Sequence, residues 1–130
     1  MKRHHVTLLF TSVLSTVLFA LHWVDEISRG FEPGTLAGAG GLAILIVWLC
    51  GPLVLGERRS GYIMMLVGGI LGMAVVLLHM SGRGMVGGRI ANTSGIYFWV
   101  FTLIALSMTA SMSVILATLG LVRWKRREVP

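Results

Sequence analysis

The sequence predicts an all-α integral membrane protein: a single domain, residues 1–130, built as a four-helix up-down-up-down bundle with N- and C-termini cytoplasmic. Three observations predict this. Charged residues make up only 12% of the 130-residue chain and hydrophobic ones 55%, with a mean hydropathy of +0.85. A soluble domain carries about 25% charge, so the material for a water-facing shell is missing. The apolar residues are also gathered into four uncharged runs, about 6–24, 36–55, 61–80 and 95–122. Roughly 20 helical residues cross a ~30 Å hydrocarbon core, and a helix satisfies its own backbone hydrogen bonds there. Finally, the basic residues concentrate beside alternate ends of these runs.

The first run, Val6 to Val24, follows Lys2, Arg3, His4 and His5. A basic start and an apolar middle resemble a secretory signal. The run exceeds the usual 7–15-residue signal core and lacks an A-x-A-like cleavage site, so a retained span is expected. Residues Asp25 to Thr35 are expected as the first loop, with Pro33 stopping any extension of the helix. The second run, Leu36 to Leu55, has ten Leu, Ile or Val residues, worth on the order of −3 to −6 kcal/mol of insertion free energy. Gly51-Pro52 is expected to kink its end.

Gly56 to Ser60 form a short turn, which makes the second and third spans antiparallel neighbours. The third span, Gly61 to Met80, leads into a Gly-rich loop, 81–94. Within it Gly82-Arg83-Gly84-Met85-Val86-Gly87 formally matches G-x-G-x-x-G. The dinucleotide fingerprint needs a preceding strand, and here a membrane span precedes it. The fourth run, 95–122, is longer than a bilayer requires, so tilt or protrusion is expected. Arg123, Lys125, Arg126 and Arg127 close it.

Orientation follows from the Lys and Arg on each side. Lys2, Arg3, Arg58, Arg59, Arg123, Lys125, Arg126 and Arg127 lie on one side, whereas only Arg29, Arg83 and Arg89 lie on the other. The first side is expected to be cytoplasmic. The net charge of +6 therefore belongs to the membrane surface. No basic-aromatic nucleic-acid module accompanies it. The lone Cys50 cannot form an internal disulfide and is expected as a core filler. Ser12, Thr16 and Ala20, Gly68 and Gly72, and Ser107 and Ser111 are spaced for close helix packing. The tryptophans mostly sit near span ends as interfacial anchors, with Trp48 deeper and packed.

The segment His22-Trp23-Val24-Asp25-Glu26-Ile27-Ser28-Arg29-Gly30-Phe31-Glu32-Pro33-Gly34 resembles the outer end of the first span in small four-pass bacterial inner-membrane proteins that have no assigned activity. The resemblance implies a bacterial inner membrane and four helices. It implies no catalytic residues.

Candidate chemistry gathers at the outer face. His22 lies three and four residues before Asp25 and Glu26, so the three share a helical face. His79 ends the third span, and a four-helix bundle places it at the depth of His22. Ionisable groups inside spans are costly and point to function. The cofactor-binding candidates are His22 and His79, as axial ligands to a haem iron. The metal-binding candidates are His22, Asp25, Glu26 and His79, as a transition-metal shell. A His22 imidazole paired with a carboxylate could also handle protons, with Thr11 and Ser15 continuing that face inward. Arg29, Arg83 and Arg89 are expected to pair with the acids of the loops or to hold a lipid phosphate.

No nucleophile–base set, Walker loop or HExxH helix is present. The leading expectation is a small accessory or interaction subunit without catalysis, embedded in the lipid bilayer as a homo-oligomer or within a larger membrane complex. The alternatives are a haem- or metal-binding redox protein using His22 and His79, and an oligomeric proton-linked transporter or channel.

Overall fold

The computed structural model describes residues 2–30, 39–80 and 94–128. They form four helices: α1 (Lys2–Ser28), α2 (Ala39–Leu53), α3 (Arg59–Met80) and α4 (Ile96–Glu128). Three are long and apolar enough to cross a membrane, within Arg3–Ser28, Arg59–His79 and Ile96–Arg126. The predicted all-α class stands, and each predicted run contains a helix. The boundaries differ in ways that matter.

The expected first loop begins too early. α1 continues through Asp25 and Glu26 to Ser28, because nothing between Val24 and Gly30 breaks a helix. The Ser28 hydroxyl donates to the Asp25 carbonyl at 2.8 Å, and Gly30, at φ 71°, ends the turn in the left-handed conformation open to glycine. Both acids are thus held on a rigid helix. Within the described residues α2 has 15 residues, or about 22 Å at 1.5 Å per residue; residues 36–38 of the predicted run lie outside them. Pro52 lies in its last turn and offers no N–H to the carbonyl one turn back, and the helix stops at Leu53. α4 runs on through the basic cluster to Glu128, 33 residues in all.

The helices meet in three layers. Leu8, Met65 and Ala117 form one; Leu18, Trp48, Leu106 and Ala110 the next; Val76, Trp99 and Leu103 the last. α2 packs against α1 and α3 and contributes Trp48 to the middle layer. There the indole packs against Gly68 and Gly72, where a Cβ at Gly68 would overlap the indole nitrogen. Glycine is required because a large ring occupies the space of the missing side chain.

Polarity is distributed opposite to that of a soluble protein. Buried positions include Ser12, Ser15, Thr16, His22, Glu26 and Thr102, while Phe10, Ile46, Leu77, Phe101, Ile104 and Met108 are exposed. Most interior hydroxyls turn back onto their own helix. Ser15 donates to the Thr11 carbonyl at 2.8 Å, Thr16 to that of Ser12 at 2.9 Å and Thr109 to that of Ala105 at 2.9 Å. Such bonds let a hydroxyl sit in an apolar interior without an orphaned donor. Ser15 also meets the Thr109 hydroxyl across the α1–α4 interface at 2.9 Å. The Thr11–Ser15 track therefore ends in hydroxyl-to-backbone and hydroxyl-to-hydroxyl contacts.

Candidate metal centre

α1 presents His22 and Glu26 one turn apart, α3 presents His79, and α4 supplies Trp99 and Thr102. Glu26 Oε1 lies 2.8 Å from His79 Nε2 and 3.5 Å from His22 Nε2. His22 is 1% exposed and Glu26 6%. The two imidazoles meet edge to face with centroids 5.1 Å apart, and the Trp99 indole lies 5.3 Å from each. The nitrogen and carboxylate donors of His22, Glu26 and His79 all fall within 4.8 Å of one another.

The hydrogen-bond network assigns the tautomers. A backbone carbonyl only accepts, and His79 Nδ1 lies 2.7 Å from the Val75 carbonyl. That nitrogen therefore carries a hydrogen and donates. The Thr102 hydroxyl donates its one proton to the Trp99 carbonyl at 2.9 Å. Its oxygen is left to accept, and His22 Nδ1 at 3.2 Å is the donor. Both rings thus spend their Nδ1–H groups on fixed acceptors and turn Nε2 toward the same carboxylate. At 2.8 Å, His79 Nε2 and Glu26 share a proton, since two acceptors would repel. Among the described residues His22 Nε2 has no hydrogen-bond partner; the Glu26 oxygen 3.5 Å away lies outside hydrogen-bond geometry.

An orphaned buried nitrogen costs on the order of 1–3 kcal/mol. In the neutral ring, with its hydrogen on Nδ1, this nitrogen carries a lone pair beside the Glu26 carboxylate and the His79 imidazole. Donors about 2.1 Å from a shared ion sit roughly 3.0–3.4 Å apart, so side-chain movements of about 1 Å would close the three around one ion. A ligating histidine almost always donates its other N–H to a carbonyl, carboxylate or water. His79 meets that requirement through Val75, and His22 has a hydroxyl in the same role.

The sequence-predicted site residues separate as follows. His22, Glu26 and His79 come together. Asp25, one residue from Glu26, faces away and pairs at 2.8 Å with Arg29, just past the end of α1. Arg29 also donates to the Ser94 carbonyl, which ties the end of α1 to the start of α4. Arg83 and Arg89, and the Gly82–Gly87 motif, lie outside the described residues. For both imidazoles to serve one haem iron as an axial pair they would have to stand on opposite faces of the porphyrin; as described, the two rings are in edge contact, with Trp99 against both.

Trp99 and Thr102 are site residues that sequence reasoning missed. Trp99 was expected as an interfacial anchor and is instead buried against both histidines. Its only signal was a hydroxyl three residues later in an apolar run. Comparisons with family models, with curated proteins and with solved structures find no match to this chain.

Proposed function

We propose that this chain is a multi-pass protein of a bacterial cytoplasmic membrane whose His22–Glu26–His79 centre holds one divalent first-row transition-metal ion. The observation that carries this is the buried Nε2 of His22, which has no hydrogen-bond partner among the described residues and lies beside the Glu26 carboxylate and the His79 imidazole, the Nδ1–H groups of both histidines being already engaged. Two imidazoles and one carboxylate are the donor set that nitrogen- and oxygen-preferring ions such as Fe(II) and Zn(II) take. Placing that charge in a low-dielectric interior is costly unless it is paired, which the ion's own charge accomplishes.

The membrane setting is supported by the inverted polarity, with hydroxyls and the His–Glu cluster inside and aliphatic and aromatic side chains outside. An up-down-up-down bundle with cytoplasmic termini accounts for the basic residues at alternate ends. It places the metal centre near the outer face. The role proposed for this chain is that of a non-catalytic, metal-carrying subunit of a larger assembly.

The test is metal analysis of protein extracted in mild detergent from membranes washed with carbonate. A near-stoichiometric first-row metal in the washed membranes is expected; a metal-free protein that takes up none of Fe(II), Mn(II) or Zn(II) on titration overturns the reading. Binding must also displace the proton shared by Glu26 and His79. Metal ligands bind deprotonated, so affinity is expected to rise with pH, and calorimetry in buffers of different ionisation enthalpy should register proton release. Thr102→Val keeps the side-chain shape but removes the acceptor for His22 Nδ1–H. It is expected to weaken metal affinity by about 10–100-fold while leaving stoichiometry at saturating metal unchanged, measured by competition with a chromophoric chelator.

A further inference from the structure

The opposite end of the molecule carries a second arrangement. A groove of about 270 Å³ lies between the start of α3 and the end of α4. Ile63, Leu121 and Val122 give it an apolar floor, and Arg59 and Lys125 stand at it from the two helices beside the Trp124 indole. Trp124 in turn packs on Tyr62, with ring centroids 6.2 Å apart, and the Tyr62 hydroxyl lies 3.0 Å from His5 Nδ1. The indole is thereby held by a contact chain reaching α1. Arg59 and Lys125 are both exposed. Among the described residues neither forms an ion pair with an acid; the pairs present belong to His22, Arg29 and His79.

We infer that this groove binds one anionic phospholipid, with an acyl chain along Ile63, Leu121 and Val122 and the headgroup phosphate between Arg59 and Lys125. Two features select this occupant. Among the described residues the two cations form no ion pair with an acid, and a phosphate supplies charge-assisted acceptors for both. The floor is wholly apolar, so a free phosphate would leave it unfilled, whereas an acyl chain covers it. Basic pockets between membrane helices on the cytoplasmic side hold acidic headgroups, and tryptophan favours the headgroup level. Trp124 thus lies at the junction of the apolar and charged parts of the site. The inference rests on the membrane reading above but is independent of the metal.

The experiment is native mass spectrometry and thermal denaturation of the full chain in detergent with added lipid. Phosphatidylglycerol is expected to remain bound as one retained molecule and to raise the melting temperature. Phosphatidylcholine and glycerol phosphate should do neither. Arg59→Gln with Lys125→Gln is expected to reduce retention by roughly tenfold or more, while Arg126→Gln, outside the groove, leaves it unchanged. Ile63→Trp, which fills the floor with both charges intact, is expected to expel the lipid as well. Equal losses from Arg126→Gln and the double variant would overturn the site, since that pattern belongs to a diffuse surface charge. Stabilisation by glycerol phosphate equal to that by the lipid would overturn it too. The metal content of the double variant and the lipid retention of His22→Ala separate the two readings: each is expected to match the unsubstituted protein.

Discussion

Glu26→Gln is expected to abolish metal binding while leaving the helices packed. The amide is nearly the same size as the carboxylate, and its NH₂ can donate to His79 Nε2, whose other nitrogen remains engaged with the Val75 carbonyl. The fold therefore keeps its contact across α1 and α3. What is lost is the only anion among the three donors, which alone offsets the charge of a divalent ion in this buried site. Loss of an orienting group typically costs about 10–100-fold in affinity, and removal of the anionic ligand should exceed that. His22→Ala and His79→Ala are expected to do the same, each by deleting a nitrogen donor. The contrasting variant is Asp25→Asn. Asp25 is engaged with Arg29, 2.8 Å away, so its loss should leave metal content unchanged. Metal analysis of the four purified variants, with circular dichroism to establish helix content, checks the set. Equal metal loss from Asp25→Asn and Glu26→Gln would mean that α1 is rotated from the orientation described.

Gly61→Ala is expected to destabilise the protein without emptying the metal centre. At the α2–α3 turn, a Cβ on Gly61 would overlap the Leu55 carbonyl and come within 3.2 Å of the Gly51 carbonyl oxygen. The obstruction is backbone, so no rotamer change relieves it. The turn itself is tight, with Arg58 N–H donating to the Leu55 carbonyl at 2.8 Å. Overpacking of this kind typically costs ~1–3 kcal/mol, which for a chain of this length lowers the melting temperature by roughly 3–10 °C. Gly61 lies in the first turn of α3 and His79 in its last, about 27 Å apart at 1.5 Å per residue. Metal stoichiometry below the melting transition should therefore be that of the unsubstituted protein. An unchanged melting temperature would show that α2 and α3 are not joined by so close a turn.

The two variants probe parts of the molecule that differ in how far the sequence reveals them. Helix existence was legible because a helix satisfies its backbone hydrogen bonds within its own segment, as a long uncharged run suited to a hydrocarbon setting requires. The ends were less so. α1 outran its apolar run to Ser28 and α4 outran its own to Glu128, because charged residues continue a helix as readily as apolar ones when no glycine or proline intervenes. The shared depth of His22 and His79 could be inferred from their places at the ends of the first and third runs. Which of Asp25 and Glu26 joined them could not. Adjacent residues lie about 100° apart around a helix, and a helix apolar on nearly all sides carries no pattern that fixes its rotation about its own axis.

The same indifference hid Trp99 and Thr102. Nothing in the fourth run distinguishes the face that meets His22 from the face that meets its surroundings. By itself, then, the amino-acid sequence determined how many helices form, their apolar character and the end of the molecule at which ionisable residues collect. Those properties depend on composition along the chain. Only the tertiary structure decided that Glu26 and not Asp25 lies between two imidazoles, and that α4 supplies the hydroxyl orienting one of them. Those choices follow from the rotation of each helix, set by which side chains interlock across its interfaces.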